Sequence, residues 1–196
     1  MPGEKPSSVS YSSLAEKLKD RIRRDGPISV ADYMAVCLGD PDHGYYTTRD
    51  PLGAEGDFTT APEISQVFGE LIGAWCAVMW QQMGALSPFI LAELGPGRGT
   101  LMGDALRAAS SVPGFSEAVR VHLVETSPVL AAAQKKTLAG HRAIRWHERI
   151  EDIPRGPGVV IANEFLEALP VRQFMLNGGE WYERCVGRKG DGMRDL

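Results

Sequence analysis

The sequence predicts an α/β fold, a Rossmann-like parallel sheet behind a helical N-terminal segment, and three observations predict it. Short apolar runs, FILAEL from Phe89, VRVHLVE from Val119, AIRWHE from Ala143 and GVVIANE from Gly158, are set among helical stretches. Their order spells βαβα, which makes the strands parallel and their crossovers right-handed. The runs end in polar or acidic residues, at the strand ends where ligands of open α/β sheets bind. Residues 1–84 read as a helical and lid segment. Residues 85–196 read as the sheet, which stops at Leu196 with fewer strands than a complete sheet needs.

Composition sets the outer bounds. A chain of 196 residues with 43% hydrophobic residues is enough for one core. A net charge of −4 leaves no basic excess to neutralise a phosphate backbone, so a general nucleic-acid partner is not expected. Cys37, Cys76 and Cys185 are odd in number and far apart, so they read as reduced packing thiols and not as a metal set. No apolar run reaches the roughly 20 residues that a membrane-spanning helix requires. The first dozen residues, with Glu4 and two prolines, lack the apolar centre of a secretory signal. The expected location is the cytoplasm or an organelle matrix.

Each element has a local reason. Leu14, Leu18 and Ile22 recur at four-residue intervals in LAEKLKDRIRR, an amphipathic helix stopped by Gly26 and Pro27. Ser29, with Asp32 three residues on, caps a second short helix to about Leu38. Gly39 to Asp57 is dense in glycine, proline and aspartate and reads as a long irregular loop. Thr60 opens TAPE, a capping-box start, and a helix of about five turns follows with apolar residues at 64, 67, 68, 71, 72, 75, 78, 79 and 83, expected to be buried along much of that face and to stop at Gly84. Ser127 and Pro128 open the helix after the second strand, and Gly140 closes it. Asn177, Gly178 and Gly179 sit between two extended runs, a hairpin signal.

The candidate site starts at the turn after the first strand, ELGPGRGT, in which Gly95, Gly97 and Gly99 alternate behind Glu93, with Pro96 between the first two. A triphosphate loop requires lysine and then a hydroxyl residue after its last glycine, and here Thr100 and Leu101 follow. A dinucleotide fingerprint requires glycine where Thr100 stands. What remains, alternate glycines behind an acid, suits S-adenosyl-L-methionine, whose amino-acid end the turn and its acid can hold. Glu125 ends the second strand, where an acid accepts from ribose hydroxyls, the role favoured by the glycine turn one strand away; the alternative is a helix-dipole acid ahead of the Ser127 cap, with Thr126 between. His147 ends the third strand, near the expected adenine position, or serves as a structural hydrogen-bonder. Asn163 and Glu164 end the fourth strand beside the turn, where a methyl acceptor would lie, or are a turn former and a solvent acid. Asp57, Thr60 and Glu63 form a polar lid or, for the last two, simply cap a helix. Arg98 pairs with a carboxylate or faces water.

Four segments together, Gly56–Trp75, Leu91–Arg107, Val121–Pro128 and Ala162–Phe174, resemble the MidA family of S-adenosylmethionine-dependent methyltransferases. The resemblance implies a class I methyltransferase fold, with Gly95, Gly97, Gly99 and Glu125 in the cofactor site. It further implies a protein arginine as methyl acceptor, since mitochondrial members assist assembly of respiratory complex I by methylating a core subunit in the matrix. Family members continue past the position of Leu196. Glu164 is then the acid that orients the guanidinium and accepts its proton, with Asn163 beside it and Glu63 or Asp57 from the lid in support. A non-catalytic assembly factor keeping the fold, and an oxidoreductase on a Rossmann sheet, are the rival readings.

Overall fold

A computed structural model describes residues 13–48 and 60–188. The chain divides into two compact units, Arg49–Ala168 and a unit joining Met1–Thr48 to Leu169–Leu196.

In the Arg49–Ala168 unit, α4 (Ala61–Ile64) and α5 (Gln66–Gln82) lead into strand β2 (Phe89–Leu94). There follow α6 (Thr100–Ala109), the short α7 (Phe115–Ala118), β3 (Val119–Val124), α8 (Pro128–Thr137), β4 (Ile144–His147) and β5 (Gly158–Ile161). The sheet order is β4-β3-β2-β5, with every neighbouring pair parallel. β2 is therefore the strand at which the winding reverses, and its glycine turn and the residues after β5 share the switch point. This is the arrangement of a class I methyltransferase fold. α5 packs on α6 within this unit.

Alternation along the strands divides the sheet into two faces. Phe89 and Leu91 of β2, Val121 and Leu123 of β3 and Ile161 of β5 point into one core with Met102, Ala105, Cys76, Trp80 and Phe115. Trp80 meets Phe115 edge-on at 5.5 Å and donates its indole N–H to the Leu86 carbonyl at 2.8 Å. The other face carries Ile90, Ala92, Arg120, His122, Arg145 and Val160, by the register Ile90↔Arg120, Ala92↔His122, His122↔Arg145 and Ala92↔Val160. Burial pushes the Cys76 thiol up to about 11, so it acts as a packing residue.

The helix after Thr60 differs from expectation in two ways. It breaks at Ser65, whose hydroxyl accepts from the Val67 N–H and caps α5, whereas Thr60 makes no side-chain cap. The large apolar side chains also face outward: Ile64, Val67, Leu71, Trp75 and Val78 are exposed. The buried stripe is instead Gly69, Gly73, Cys76, Ala77 and Trp80. The reason is closeness of approach, since a Cβ on Gly73 would collide with the backbone of Ala105 on α6 and one on Gly69 would lie 2.7 Å from the Cβ of Asp104. Arg107 of α6 ties the two helices at their rim by bonding Glu70 at 2.5 Å.

In the other unit, α1 (Leu14–Asp25) buries Leu18 and Ile22, is capped by Ser13 and ends at Gly26 with φ +87°. The two-residue β1 (Ile28–Ser29) pairs antiparallel with β8 (Cys185–Val186), a pairing between distant segments that no local pattern announced. Ser29 caps α2 (Val30–Gly39) by accepting from the Asp32 N–H at 3.0 Å. The expected irregular stretch after Gly39 is in part ordered. Asp40 accepts from the N–H groups of Asp42 and His43, each at 3.1 Å, and pairs with Lys17, and α3 (Tyr45–Thr48) follows. β6 (Phe174–Asn177) and β7 (Glu180–Glu183) form the expected hairpin, in which Gly178 and Gly179 take φ of +59° and +89°, as a two-residue turn of this kind requires.

Candidate functional site

The glycine turn is built as its sequence demands. Gly95, Gly97 and Gly99 have φ of +61°, +55° and +83°, values that side-chain-bearing residues adopt only at a cost. The turn is closed by backbone bonds from the Gly95 N–H to the Val124 carbonyl at 3.0 Å and from the Gly99 N–H to the Pro96 carbonyl at 2.8 Å. Pro96 and Gly99 are buried and α6 begins immediately after, at Thr100.

Glu93 lies beneath this turn, 3% exposed, and its Oε2 has no hydrogen-bond partner among the described residues. Burial alone pushes its carboxyl up to about 8. A buried acid with an orphaned oxygen beside a bare-backbone turn is an unmet demand for a cationic or hydrogen-donating ligand group. The residues present therefore fit a cofactor that carries an ammonium.

Glu125 sits one strand away. Its Oε1 accepts from the Ser127 N–H at 2.8 Å and its Oε2 from Gln134 Nε2 at 3.0 Å. Burial raises its pKa, opposed by the Ser127 N–H, the Gln134 amide and the Thr126 N–H. The carboxylate is thus held in one orientation, with lone pairs left on each oxygen.

Gln134 was not anticipated. It is fully buried on α8, and the same Nε2 also donates to the Gly97 carbonyl at 2.8 Å, while its Oε1 accepts from Trp146 Nε1 at 3.0 Å. One side chain thereby joins the glycine turn, the acid ending β3 and the indole on β4. A glutamine within PVLAAAQKKT carries no local mark of such a role, and only the meeting of three strand ends reveals it.

His147 turns its ring to His122, stacked at 5.0 Å between centroids with Nδ1 of His122 2.8 Å from Nε2 of His147. Burial, then His147 and Arg145, lower the His122 pKa. The His147 carbonyl accepts from the Glu125 N–H at 2.9 Å, so the residue also fixes the backbone at the acid.

On the other side of the turn, Glu63 at the end of α4 is half-buried and accepts a 2.6 Å hydrogen bond from the Thr100 hydroxyl at the first turn of α6. It is thus brought beside the turn, whereas Asp57 lies outside the described residues. Thr60 takes part through its backbone carbonyl, which accepts from the Glu63 and Ile64 N–H groups. After β5, Asn163 is half-buried and Glu164 is exposed with φ +45°, a conformation sparsely populated by non-glycine residues. That turn sends Phe165 back over the cradle: a Cβ built on Gly95 would lie 2.5 Å from the Phe165 ring. Phe165 is the second residue that sequence reasoning passed over, although its place after NE at a switch-point strand end was a signal.

The chain is also similar to known proteins. Residues 71–195 match the model of a family described as "Putative S-adenosyl-L-methionine-dependent methyltransferase". Among curated proteins, the Drosophila melanogaster "Protein arginine methyltransferase NDUFAF7 homolog, mitochondrial" is 43% identical over 94% of this chain and 48% of its own length. The Homo sapiens "Protein arginine methyltransferase NDUFAF7, mitochondrial" is 37% identical, again over 94% of this chain and 47% of its own. A crystal structure from Burkholderia thailandensis, bound to S-adenosyl-homocysteine, superposes with a TM-score of 0.74 at 30% identity, covering 91% of this chain and 47% of that one. The chain spans about half the length of the relatives it matches.

Proposed function

The chain belongs to this S-adenosyl-L-methionine-dependent methyltransferase family, and from that premise we propose that it carries the cofactor site of a protein arginine methyltransferase. The observation that carries the reading is Glu93, a buried and half-partnered acid directly beneath three positive-φ glycines. The relatives named arginine methyltransferases support the choice of acceptor, and by analogy with them a respiratory complex I subunit is the proposed partner. For a bacterial-type member the cytoplasm is the corresponding compartment.

When bound, the cofactor supplies an electrophilic methyl group on a positively charged sulfur. The chain's own residues do the rest. Glu93 and the backbone from Gly95 through Pro96 and Gly97 to Gly99 hold the amino-acid end, and Glu125, steadied by Thr126, Ser127 and Gln134, accepts from the ribose hydroxyls. His147 supports the adenine side through Glu125's backbone. A guanidinium is protonated at neutral pH and is a weak nucleophile, so it needs a carboxylate to orient it and take its proton. Glu164 is assigned that part from its strained position after β5, Asn163 precedes it in the same turn, and Glu63 closes the opposite rim.

Calorimetric titration with S-adenosyl-L-methionine and S-adenosyl-homocysteine tests the cofactor site, with Gly97→Val expected to abolish binding in a folded protein. Retained affinity would mean that the turn is not the site. Methylation of arginine in candidate protein substrates, read by mass spectrometry on the full-length protein, tests the activity. Glu164→Gln is expected to keep cofactor binding and lose transfer, and undiminished transfer removes Glu164 from the mechanism. A full-length protein that binds neither compound would favour the scaffold reading.

A further inference from the structure

We propose that the cleft at the N-terminal ends of the sheet strands is a second binding site, for a small phosphomonoester with an apolar body. It lies at the opposite end of the strands from the glycine turn. Arg120 near the start of β3, Arg145 on β4, Arg155 just before β5 and His122 of β3 line it, together with the apolar Ile90 and Pro157. Arg120, His122, Arg145 and Ile90 share the sheet face opposite the main core.

Three features point to an anion. The cleft gathers three guanidiniums, and no aspartate or glutamate is among its described lining residues, in a chain with 25 acids against 21 lysines and arginines. Such a local field against the net charge of −4 concentrates anions. Arg120 is already fastened, with its Nη1 donating at 2.8 Å to the carbonyls of Glu117 and Val119, which holds one charge in place without neutralising it. The side chains of Arg145 and Arg155 make no hydrogen bond or ion pair among the described residues. Their planar forks, each with five donors, match the oxygens of a phosphate better than those of a single carboxylate.

Size and shape favour a small molecule. The cavity is about 510 Å³, within the range of ligand sites, and its walls from Ile90 and Pro157 suit a ring or short alkyl body. In a chain of net charge −4, a nucleic-acid backbone is a poor fit. From Arg120 to Glu125 is roughly 16 Å along the strand at about 3.3 Å per residue, so the two sites can be filled together.

The test is calorimetry at low ionic strength with three probes: phenyl phosphate, inorganic phosphate and phenol. Phenyl phosphate is expected to bind at least about 10-fold tighter than inorganic phosphate, the weight of about 1.4 kcal/mol, with no heat from phenol. Arg145→Gln and Arg155→Gln should each weaken phenyl phosphate by a similar factor while S-adenosyl-homocysteine binds as before. Arg155 lies outside any strand, so its variant remains informative should Arg145→Gln disturb the sheet. Absence of saturable phenyl phosphate binding, its displacement by S-adenosyl-homocysteine, or indifference to both substitutions would overturn the proposal. Because the probes are not cofactors, failure here leaves the methyltransferase reading standing, and failure of that reading leaves this one.

Discussion

The amide of Gln134 donates a 2.8 Å hydrogen bond to the carbonyl of Gly97, so a buried side chain on α8 sets the backbone of the cradle. Replacing Gln134 with alanine would leave the Gly97 carbonyl, one oxygen of Glu125 and the Trp146 N–H without this partner. Loss of about 2–3 kcal/mol in urea unfolding is expected, since buried polar groups stripped of partners bear their full desolvation. The same variant should weaken S-adenosyl-homocysteine binding more than its stability loss explains.

Gly95 and Phe165 form a second coupled pair. Gly95→Ala must both strain a backbone at φ +61° and drive a methyl to 2.5 Å from the ring, so it should destabilise by about 2 kcal/mol or more and reduce cofactor affinity. Phe165→Leu in the same protein removes the clash but not the strain. Partial recovery in the double variant, measured by thermal unfolding, is the expected result, and strict additivity would show that the ring moves aside freely.

Glu93 gives the site a pH dependence with a definite sign. Its carboxyl is raised to about 8 in the folded protein from an ordinary 4.5, so the folded state holds a proton that the unfolded chain has released. This contribution to stability is fully present below pH 4.5 and is lost as pH rises toward 8, at up to about 1.4 kcal/mol per pH unit. Denaturant midpoints across that window should flatten in Glu93→Gln relative to the unsubstituted protein. Cofactor affinity should run the other way, rising with pH up to about 8 because the cationic end requires the ionised acid. Proton release on binding, read as a buffer-dependent heat, checks it.

Gly73 makes the simplest stability test. A methyl there would meet the backbone of Ala105, which cannot yield as a flexible side chain can, so Gly73→Ala should cost at least about 3 kcal/mol despite alanine's better helix propensity. An exposed control, Ser110→Ala at the end of α6, should stay within about 0.5 kcal/mol.

The sheet was legible because its strands carry their own record: FILAEL and VRVHLVE are nearly continuous apolar runs, and the glycines after Leu94 announce the turn. The same was true of the caps at Ser29 and Ser127, which need only a few neighbouring residues. What escaped was set by other segments. Periodicity named Val67, Leu71 and Trp75 as the inner face of α5, yet close approach to α6 selects Gly69 and Gly73, and a hydrophobicity pattern has no means of expressing a residue chosen for its lack of side chain. Gln134 and the β1–β8 pair escaped for the same reason, since their partners lie far away in sequence.

The bond from Trp146 to Gln134 has an optical consequence. An indole whose N–H is tied to the amide that also holds Gly97 and Glu125 experiences any change in the polarity of that junction, so its emission wavelength reads the state of the cradle directly. Trp75 and Trp181, largely exposed, and Trp80, buried in the core, supply the background against which Trp146→Phe isolates the signal. The chain carries its own fluorophore, and ligand arrival can be followed in a stopped-flow cell with no label attached.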